Sequence, residues 1–256
     1  MPWTFAHPAA ILPLRRLCPR FLSWPALILG AMAPDMSYYV GMHGQWRSFC
    51  HTPEGILVAC LPVCLLLLVL LLRFAAPLTV LLPERHRSLV RAQLRPSPHK
   101  LWMGVAVAAL SVLIGAATHV VWDSFTHGGR WGAELIPELD EPLLEAMDRQ
   151  FQGTHLLQHL STAVGVVLLA VAYRRTLRTR PTAAPAPLDA RRRRLLLACL
   201  AVAALVGASS AYALTPATLP AYSSHLLVRT VVWSTSCFAA LFVIASAAWW
   251  RRVGDA

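Results

Sequence analysis

The sequence predicts an all-α protein, a polytopic membrane helix bundle of about six transmembrane helices with both termini in the cytoplasm. Of its 256 residues, 57% are hydrophobic and only 14% are charged, whereas a soluble domain carries roughly 25% charged residues. The apolar residues also stand in uninterrupted runs rather than in amphipathic stripes. These observations exclude a water-soluble enzyme with one core, a disordered chain, a disulfide-rich module and a coiled coil.

Five apolar runs are long enough to cross a bilayer, because a helix of about 20 residues spans about 30 Å of hydrocarbon. They cover roughly residues 55–73, 101–122, 155–173, 195–214 and 228–250. A sixth run, residues 21–40, is weaker because two prolines and a glycine interrupt it. It either spans the bilayer or re-enters it and packs against the other helices. The small residues at 31–33 also leave cleavage of a signal peptide open.

The charges of the connecting segments predict how the helices are oriented. Basic residues concentrate in segments 73–100 and 174–194, whereas acidic residues concentrate in segment 123–154. Basic loops stay on the cytoplasmic side, so segments 34–54 and 123–154 face outwards. The net charge of +11 is then explained by topology and by anionic headgroups of membrane lipids, and no nucleic-acid partner is expected.

Segment 175–194, rich in Pro, Ala and Arg, is typical of a flexible cytoplasmic linker. It divides the chain into a four-helix membrane region, 1–174, and a two-helix membrane region, 195–256. None of the six cysteines forms a Cys-x-x-Cys pair, and four lie in or beside apolar runs. We therefore expect neither a disulfide framework nor a structural zinc knuckle.

Histidine and aspartate residues gather at the predicted outer ends of the helices. His119 and Asp123 are four residues apart, so they share a helix face about 6 Å apart along its axis. Asp35 closes the run 21–40, and His51 precedes the next run. Each residue alone is better explained as an interfacial polar side chain, but ionisable residues at membrane depth are costly and usually functional. As a group they predict a mixed nitrogen and oxygen site for zinc or another divalent metal.

Three further residues are candidates for catalysis at this site. His127 and His159 are candidates for proton transfer, and His127 can approach the same ion only if its helix ends close by. Glu54, three residues past His51, is a candidate general base. His7 is predicted on the cytoplasmic side and would join the group only if residues 1–40 form a re-entrant hairpin.

Several stretches of the chain resemble one family. They are Pro2-Trp3-Thr4-Phe5-Ala6-His7-Pro8-Ala9-Ala10, Gly30-Ala31-Met32-Ala33-Pro34-Asp35, Thr118-His119-Val120-Val121-Trp122-Asp123-Ser124-Phe125-Thr126-His127, the His51 region and Gln158-His159-Leu160-Ser161. The family is a group of uncharacterised bacterial integral membrane proteins, domain of unknown function 4184. The resemblance covers most of the chain and implies the class and the place of the site, but no chemistry. A weaker similarity to bacterial inner-membrane metal-dependent hydrolases implies a metal and hydrolysis by analogy.

Two functions are compatible with these features. The first is a metal-dependent hydrolase of a bacterial plasma membrane, acting on a lipid or lipid-linked ester at the outer face with a metal-activated water. The second is a non-enzymatic membrane protein, such as a transporter, an assembly partner or a pH-responsive sensor, whose polar layer locks the helices together. The sequence contains no His-Glu-x-x-His, no Gly-x-Ser-x-Gly and no phosphate-binding glycine loop that would favour a known enzyme class.

Overall fold

The computed structural model describes residues 3–18, 20–42, 44–95, 100–146, 149–179, 189–216 and 222–253. The α-helices are α1 (Trp24–Met32), α2 (Met36–Tyr39), α3 (Gln45–Cys50), α4 (Pro53–Gly55), α5 (Leu61–Arg73), α6 (Ala75–Thr79), α7 (Glu84–Gln93), α8 (Leu101–Thr126), α9 (Trp131–Glu134), α10 (Gly153–Thr179), α11 (Ala190–Leu214) and α12 (Tyr222–Val253). Short 3-10 helices cover Thr4–Ala9, Leu12–Leu17, Ala33–Asp35 and Pro137–Leu139, and a π-helical turn, Ile56–Cys60, joins α4 to α5. The strands β1 (Pro142–Ala146) and β2 (Arg149–Gln152) form an antiparallel hairpin in which Leu144 pairs with Phe151.

Five helical segments of the described chain are long and apolar enough to cross a membrane. They are Pro53–Arg73, Leu101–Thr126, Gly153–Thr179, Ala190–Leu214 and His225–Val253. Large apolar side chains such as Val58 and Leu205 stand exposed on these helices, as expected where lipid rather than protein covers the surface. The prediction of an all-α helix bundle is confirmed, and these helices indicate a membrane protein. The location of both termini in the cytoplasm stays a prediction.

The weaker run, residues 21–40, does not form a membrane-spanning helix. Its longest helix, α1, has nine residues and is about 14 Å long, less than half of the hydrocarbon thickness. Pro25 lies in the first turn of α1, and Pro34 in the first turn of the next 3-10 helix. Proline is favoured at helix starts and breaks helix interiors, so the run divides into short pieces. The described residues therefore contain five candidate spans, and of the two alternatives for residues 21–40 the short helices favour a segment that does not cross the bilayer.

Residues 4–18 and 20–36 form a hairpin that packs along α8 and α10. At its start, the Trp3 backbone N–H donates to Thr162 Oγ1 at 3.0 Å. Near its turn, the Arg15 guanidinium donates to Thr176 Oγ1 at 2.7 Å. The two threonines lie about 21 Å apart along α10, so the outgoing limb follows α10 towards its basic end. The returning limb is α1, which packs against α8.

Glycines allow α1 and α8 to touch backbone to backbone. A Cβ on Gly30 would lie 2.2 Å from a carbonyl oxygen of α8, and one on Gly115 would lie 2.4 Å from the Leu27 carbonyl oxygen. Small residues that permit such close approach are typical of helix pairs in membranes. The contact brings the Ala31 carbonyl within hydrogen-bond distance of His119, so this crossing helps to position the site described below.

The chain clusters into two compact units. The first comprises Met1–Met36, Gly44–Val69 and Pro96–Arg180; the second comprises Ser37–His43, Leu70–Arg95 and Pro181–Ala256. Within the second unit, α11 packs along α12, and the Ser236 hydroxyl donates to the Tyr39 carbonyl at 2.9 Å. The expected linker, 175–194, lies partly outside the described residues, and the division into regions 1–174 and 195–256 stays a prediction.

Candidate metal centre

Two aspartates and two histidines converge in the interior of the first unit. Asp35, His51, His119 and Asp123 each offer one ligand atom, and these four atoms lie within 4.8 Å of one another. All four residues are buried, from 0% exposed for Asp35 to 8% for His51. They come from three distant stretches: the 3-10 helix after α1, the end of α3 and the last turns of α8. The structure thus brings together the four residues that the sequence singled out, and we call them the Asp-His cluster.

The spacing within the Asp-His cluster suits the ligands of one cation. His51 Nε2 lies 3.6 Å from Asp35 Oδ1 and 3.5 Å from Asp123 Oδ2. His119 Nε2 lies 3.8 Å and 3.6 Å from the same two oxygens. These separations exceed the usual N–H···O hydrogen-bond range of about 2.7–3.2 Å. Four ligand atoms placed about 2.1 Å from a tetrahedral ion would lie about 3.4 Å apart, which is close to these four histidine–aspartate distances.

Backbone carbonyls determine which nitrogen of each imidazole faces the Asp-His cluster. His51 Nδ1 donates to the Arg47 carbonyl oxygen and His119 Nδ1 donates to the Ala31 carbonyl oxygen, each at 2.8 Å. A carbonyl oxygen only accepts, so Nδ1 carries the proton and Nε2 of a neutral ring presents a lone pair. Histidines that bind metals usually donate their second ring N–H to a carbonyl in this way. The cluster therefore directs four acceptor atoms at one another, and His119 Nε2 and Asp35 Oδ1 have no hydrogen-bond partner.

Thr4 supports the cluster from outside. Its hydroxyl donates to Asp35 Oδ2 at 2.9 Å, in a buried position. One oxygen of Asp35 is thus held by Thr4, while Oδ1 faces the two imidazoles. Thr4 belongs to the first 3-10 helix, so the N-terminal hairpin both carries Asp35 and orients it.

His7 lies beside the Asp-His cluster, whereas the sequence predicted it away from the cluster, on the cytoplasmic side. Its ring stacks on that of His119, with centroids 3.7 Å apart and an interplanar angle of 19°, and its Nε2 lies 3.4 Å from Asp123 Oδ1. Burial, followed by the proximity of His119, lowers the pKa of His7 to about 3, so the ring is neutral. From the sequence, His7 was expected to join the cluster only if the N-terminal segment formed a hairpin, and the described part of that segment does so. The sequence feature that favours this hairpin is the pair Pro8 and Pro13, because proline excludes one long helix before residue 20.

Of the three candidate catalytic residues, the structure brings only His127 to the Asp-His cluster. Its Nδ1 donates to the Asp123 carbonyl oxygen at 2.9 Å and lies 3.8 Å from Asp123 Oδ2. Burial lowers the pKa of His127 to about 4, so this ring is neutral too. His159 and Glu54 are exposed and are not part of the cluster. On α10 the neighbouring Gln158 is buried in place of His159.

An apolar groove of about 350 Å³ lies between the first 3-10 helix, α8 and α10, and His7 is one of its lining residues. Its lining includes Ala6, Ala9, Trp122, Leu160, Val164 and Leu168. Gly165 lets the two helices approach, because a Cβ there would lie 3.0 Å from the Ala6 carbonyl oxygen. Leu160 and Val164 are 53% and 55% exposed, so the groove opens on the apolar surface of a candidate membrane-spanning helix.

The helices and the Asp-His cluster define this chain as a helical membrane protein with a buried group that could hold a metal ion. Among family models, that of a domain of unknown function, 4184, matches residues 1–247. The chain therefore belongs to this family, and the resemblance inferred from its motifs is confirmed. No curated protein and no solved structure matches the chain.

Proposed function

We propose that this protein is a metal-dependent hydrolase that acts on a lipid or lipid-linked substrate within the membrane. The observation that carries the proposal is the Asp-His cluster, in which four acceptor atoms face one another without a donor between them. A mixed set of imidazoles and carboxylates is typical of sites for zinc and related divalent cations. A divalent cation bound there would supply Lewis acidity and lower the pKa of water at the site.

The residues of the Asp-His cluster and the neighbouring His127 have separate roles in this proposal. Asp35 and Asp123 supply the negative charge that offsets a cation, and the Nδ1 bonds of the two imidazoles hold the ligand atoms in place. We assign proton transfer to His127, whose side chain is 17% exposed, in contrast to the almost fully buried imidazoles of the cluster.

The apolar groove supports a lipid as the substrate. It opens on the surface of α10 between exposed apolar side chains, and its lining includes His7, which contacts the Asp-His cluster. A lipid chain in this groove would bring an attached polar group towards the cluster. The acidic segment 123–154, which follows α8, supports a position near the outer leaflet of a plasma membrane.

Elemental analysis of the protein purified in detergent tests the cation. We expect at least one equivalent of zinc or manganese in the wild-type protein and a loss of most of it in His119→Ala. His159→Ala is the matched control, because this histidine is exposed on α10, and it should retain the metal. A wild-type protein that holds no metal after incubation with zinc or manganese would contradict the proposal.

Hydrolysis is tested on the metal-loaded protein in mixed micelles of fluorescent phosphatidylethanolamine and phosphatidylglycerol. We expect release of a fatty acid or of a headgroup fragment, abolished in Asp123→Asn because one ligand oxygen is lost. A protein that binds the metal but cleaves no ester or phosphoester bond of these lipids would exclude this activity and favour the second function.

The second candidate is a structural metal clamp in a non-enzymatic membrane protein, and the burial of the cluster favours it. Four protein ligands complete a tetrahedron, as in structural zinc sites, whereas catalytic zinc sites keep one position open. Such a clamp would tie Asp35 of the hairpin and His51 to α8. It predicts that removal of the metal lowers stability in a protein without turnover.

A further inference from the structure

We propose that Asp123 bridges two divalent cations and that His7 is a ligand of the second one. This inference rests on the proposed function, because the first cation is the one held by the Asp-His cluster. It makes His7 a metal ligand, although His7 is not one of the four residues of the Asp-His cluster.

The two oxygens of Asp123 face different imidazoles. Oδ2 lies 3.5 Å from His51 Nε2 and 3.6 Å from His119 Nε2, whereas Oδ1 lies 3.4 Å from His7 Nε2. Asp123 Oδ1 and His7 Nε2 are both buried and have no hydrogen-bond partner. Buried polar atoms nearly always have a partner in native proteins, so this unsatisfied pair indicates a missing ligand between them.

The stacking of His7 on His119 gives the separation of the two cations. The rings are nearly parallel and 3.7 Å apart, and both Nε2 atoms are directed at the same carboxylate. Cations bound in line with these two nitrogens would therefore lie about 3.5–4 Å apart, the separation found in two-metal hydrolytic sites. A bridging carboxylate between two stacked imidazoles is suited to such a pair.

The second cation would differ from the first in its open coordination positions. Among the described residues, His7 Nε2 and Asp123 Oδ1 are the pair whose separation fits this cation. His127 donates from Nδ1 to the Asp123 carbonyl and has a buried Nε2 without a partner, so it is the candidate for a third ligand. Because His7 also lines the apolar groove, these open positions lie next to the groove. A substrate that enters along the groove would thus meet the second cation, whereas the first is enclosed by protein ligands.

Metal stoichiometry tests the pair directly. The full-length protein in detergent is stripped with EDTA, loaded with Mn²⁺ alone and freed of unbound ions. We expect two equivalents of manganese and an exchange-coupled electron paramagnetic resonance spectrum. His7→Phe keeps a ring to stack on His119 but offers no ligand atom, so it should bind one equivalent and give an uncoupled spectrum. His159→Phe, at an exposed position of α10, is the matched control and should keep two equivalents and the coupling.

One equivalent in the wild-type protein, unchanged by His7→Phe, would overturn this inference and leave the proposed function standing. No bound manganese or zinc in the wild-type protein would overturn both. If His7→Phe does not elute as a folded protein, the stoichiometry and the coupling of the wild-type protein decide the question without it.

Discussion

Several residues in and around the Asp-His cluster orient its ligand atoms through hydrogen bonds on the side away from its centre. The Nδ1 protons of His51 and His119 are held by backbone carbonyls, and Thr4 holds one oxygen of Asp35. Such outer contacts orient metal ligands and typically change affinity by about 10- to 100-fold. The four-residue spacing of His119 and Asp123 was visible in the sequence, but nothing in the spacing of residues revealed Thr4 as a partner of Asp35.

Thr4→Val should weaken metal binding while the protein stays folded. The substitution keeps the shape of the side chain and removes only the hydroxyl that donates to Asp35, so that carboxylate loses its orientation. We expect the zinc affinity to fall about tenfold or more, measured by competition with a chromophoric chelator. Thr118→Val is the control, because its hydroxyl donates within its own helix to Gly115. Equal affinities for the two variants would contradict the role of Thr4.

At the scale of secondary structure elements, the crossing of α1 and α8 connects packing to the site. The glycines at this crossing permit backbone contact, and that contact delivers the Ala31 carbonyl to His119. Lipid chains are as apolar as leucine, so helix association in a membrane depends on close packing and on hydrogen bonds. A change at the crossing should therefore affect both stability and metal binding.

Gly115→Ala should destabilise the protein and weaken metal binding together. The added methyl group would lie 2.4 Å from the Leu27 carbonyl oxygen, so the helices must separate and His119 loses its backbone partner. We expect a loss of about 1–3 kcal/mol, the usual cost of overpacking, measured by thermal unfolding in detergent with EDTA present. Ala117→Val adds volume at an exposed position of the same helix and should change neither property. An unchanged unfolding temperature for Gly115→Ala would contradict the packing described here.

At the scale of the whole molecule, five helices of the described chain are long and apolar enough to cross a membrane, and we expect the charges between them to set the orientation. The basic segments 73–100 and 174–194 should stay in the cytoplasm, and the acidic segment 123–154 should lie outside. Alkaline phosphatase fused after Asp140 should be active outside the cell, whereas green fluorescent protein fused after Arg85 should fluoresce inside. The reverse pattern would place the Asp-His cluster near the other leaflet and contradict the proposed orientation.

A bound cation should also stabilise the whole molecule. A ligand that binds only the folded state adds about 2.7 kcal/mol when present at about 100 times its dissociation constant. EDTA should therefore lower the unfolding temperature of the wild-type protein, and added zinc or manganese should restore it. Asp123→Asn should show almost no response to either reagent. A wild-type protein whose unfolding temperature ignores EDTA and added metal would argue against a bound cation.

The membrane-spanning helices, the all-α class and the four residues of the Asp-His cluster followed from the chain alone. Long apolar runs are local features, and His119 and Asp123 share one helix face by spacing. The return of the N-terminal hairpin, the stacking of His7 on His119 and the exposure of His159 and Glu54 emerged only in three dimensions. The reason is physical: lipid and protein interior are similarly apolar, so the pattern of α10 does not reveal its inward face. The inward face of α10 is determined by its packing against the first 3-10 helix.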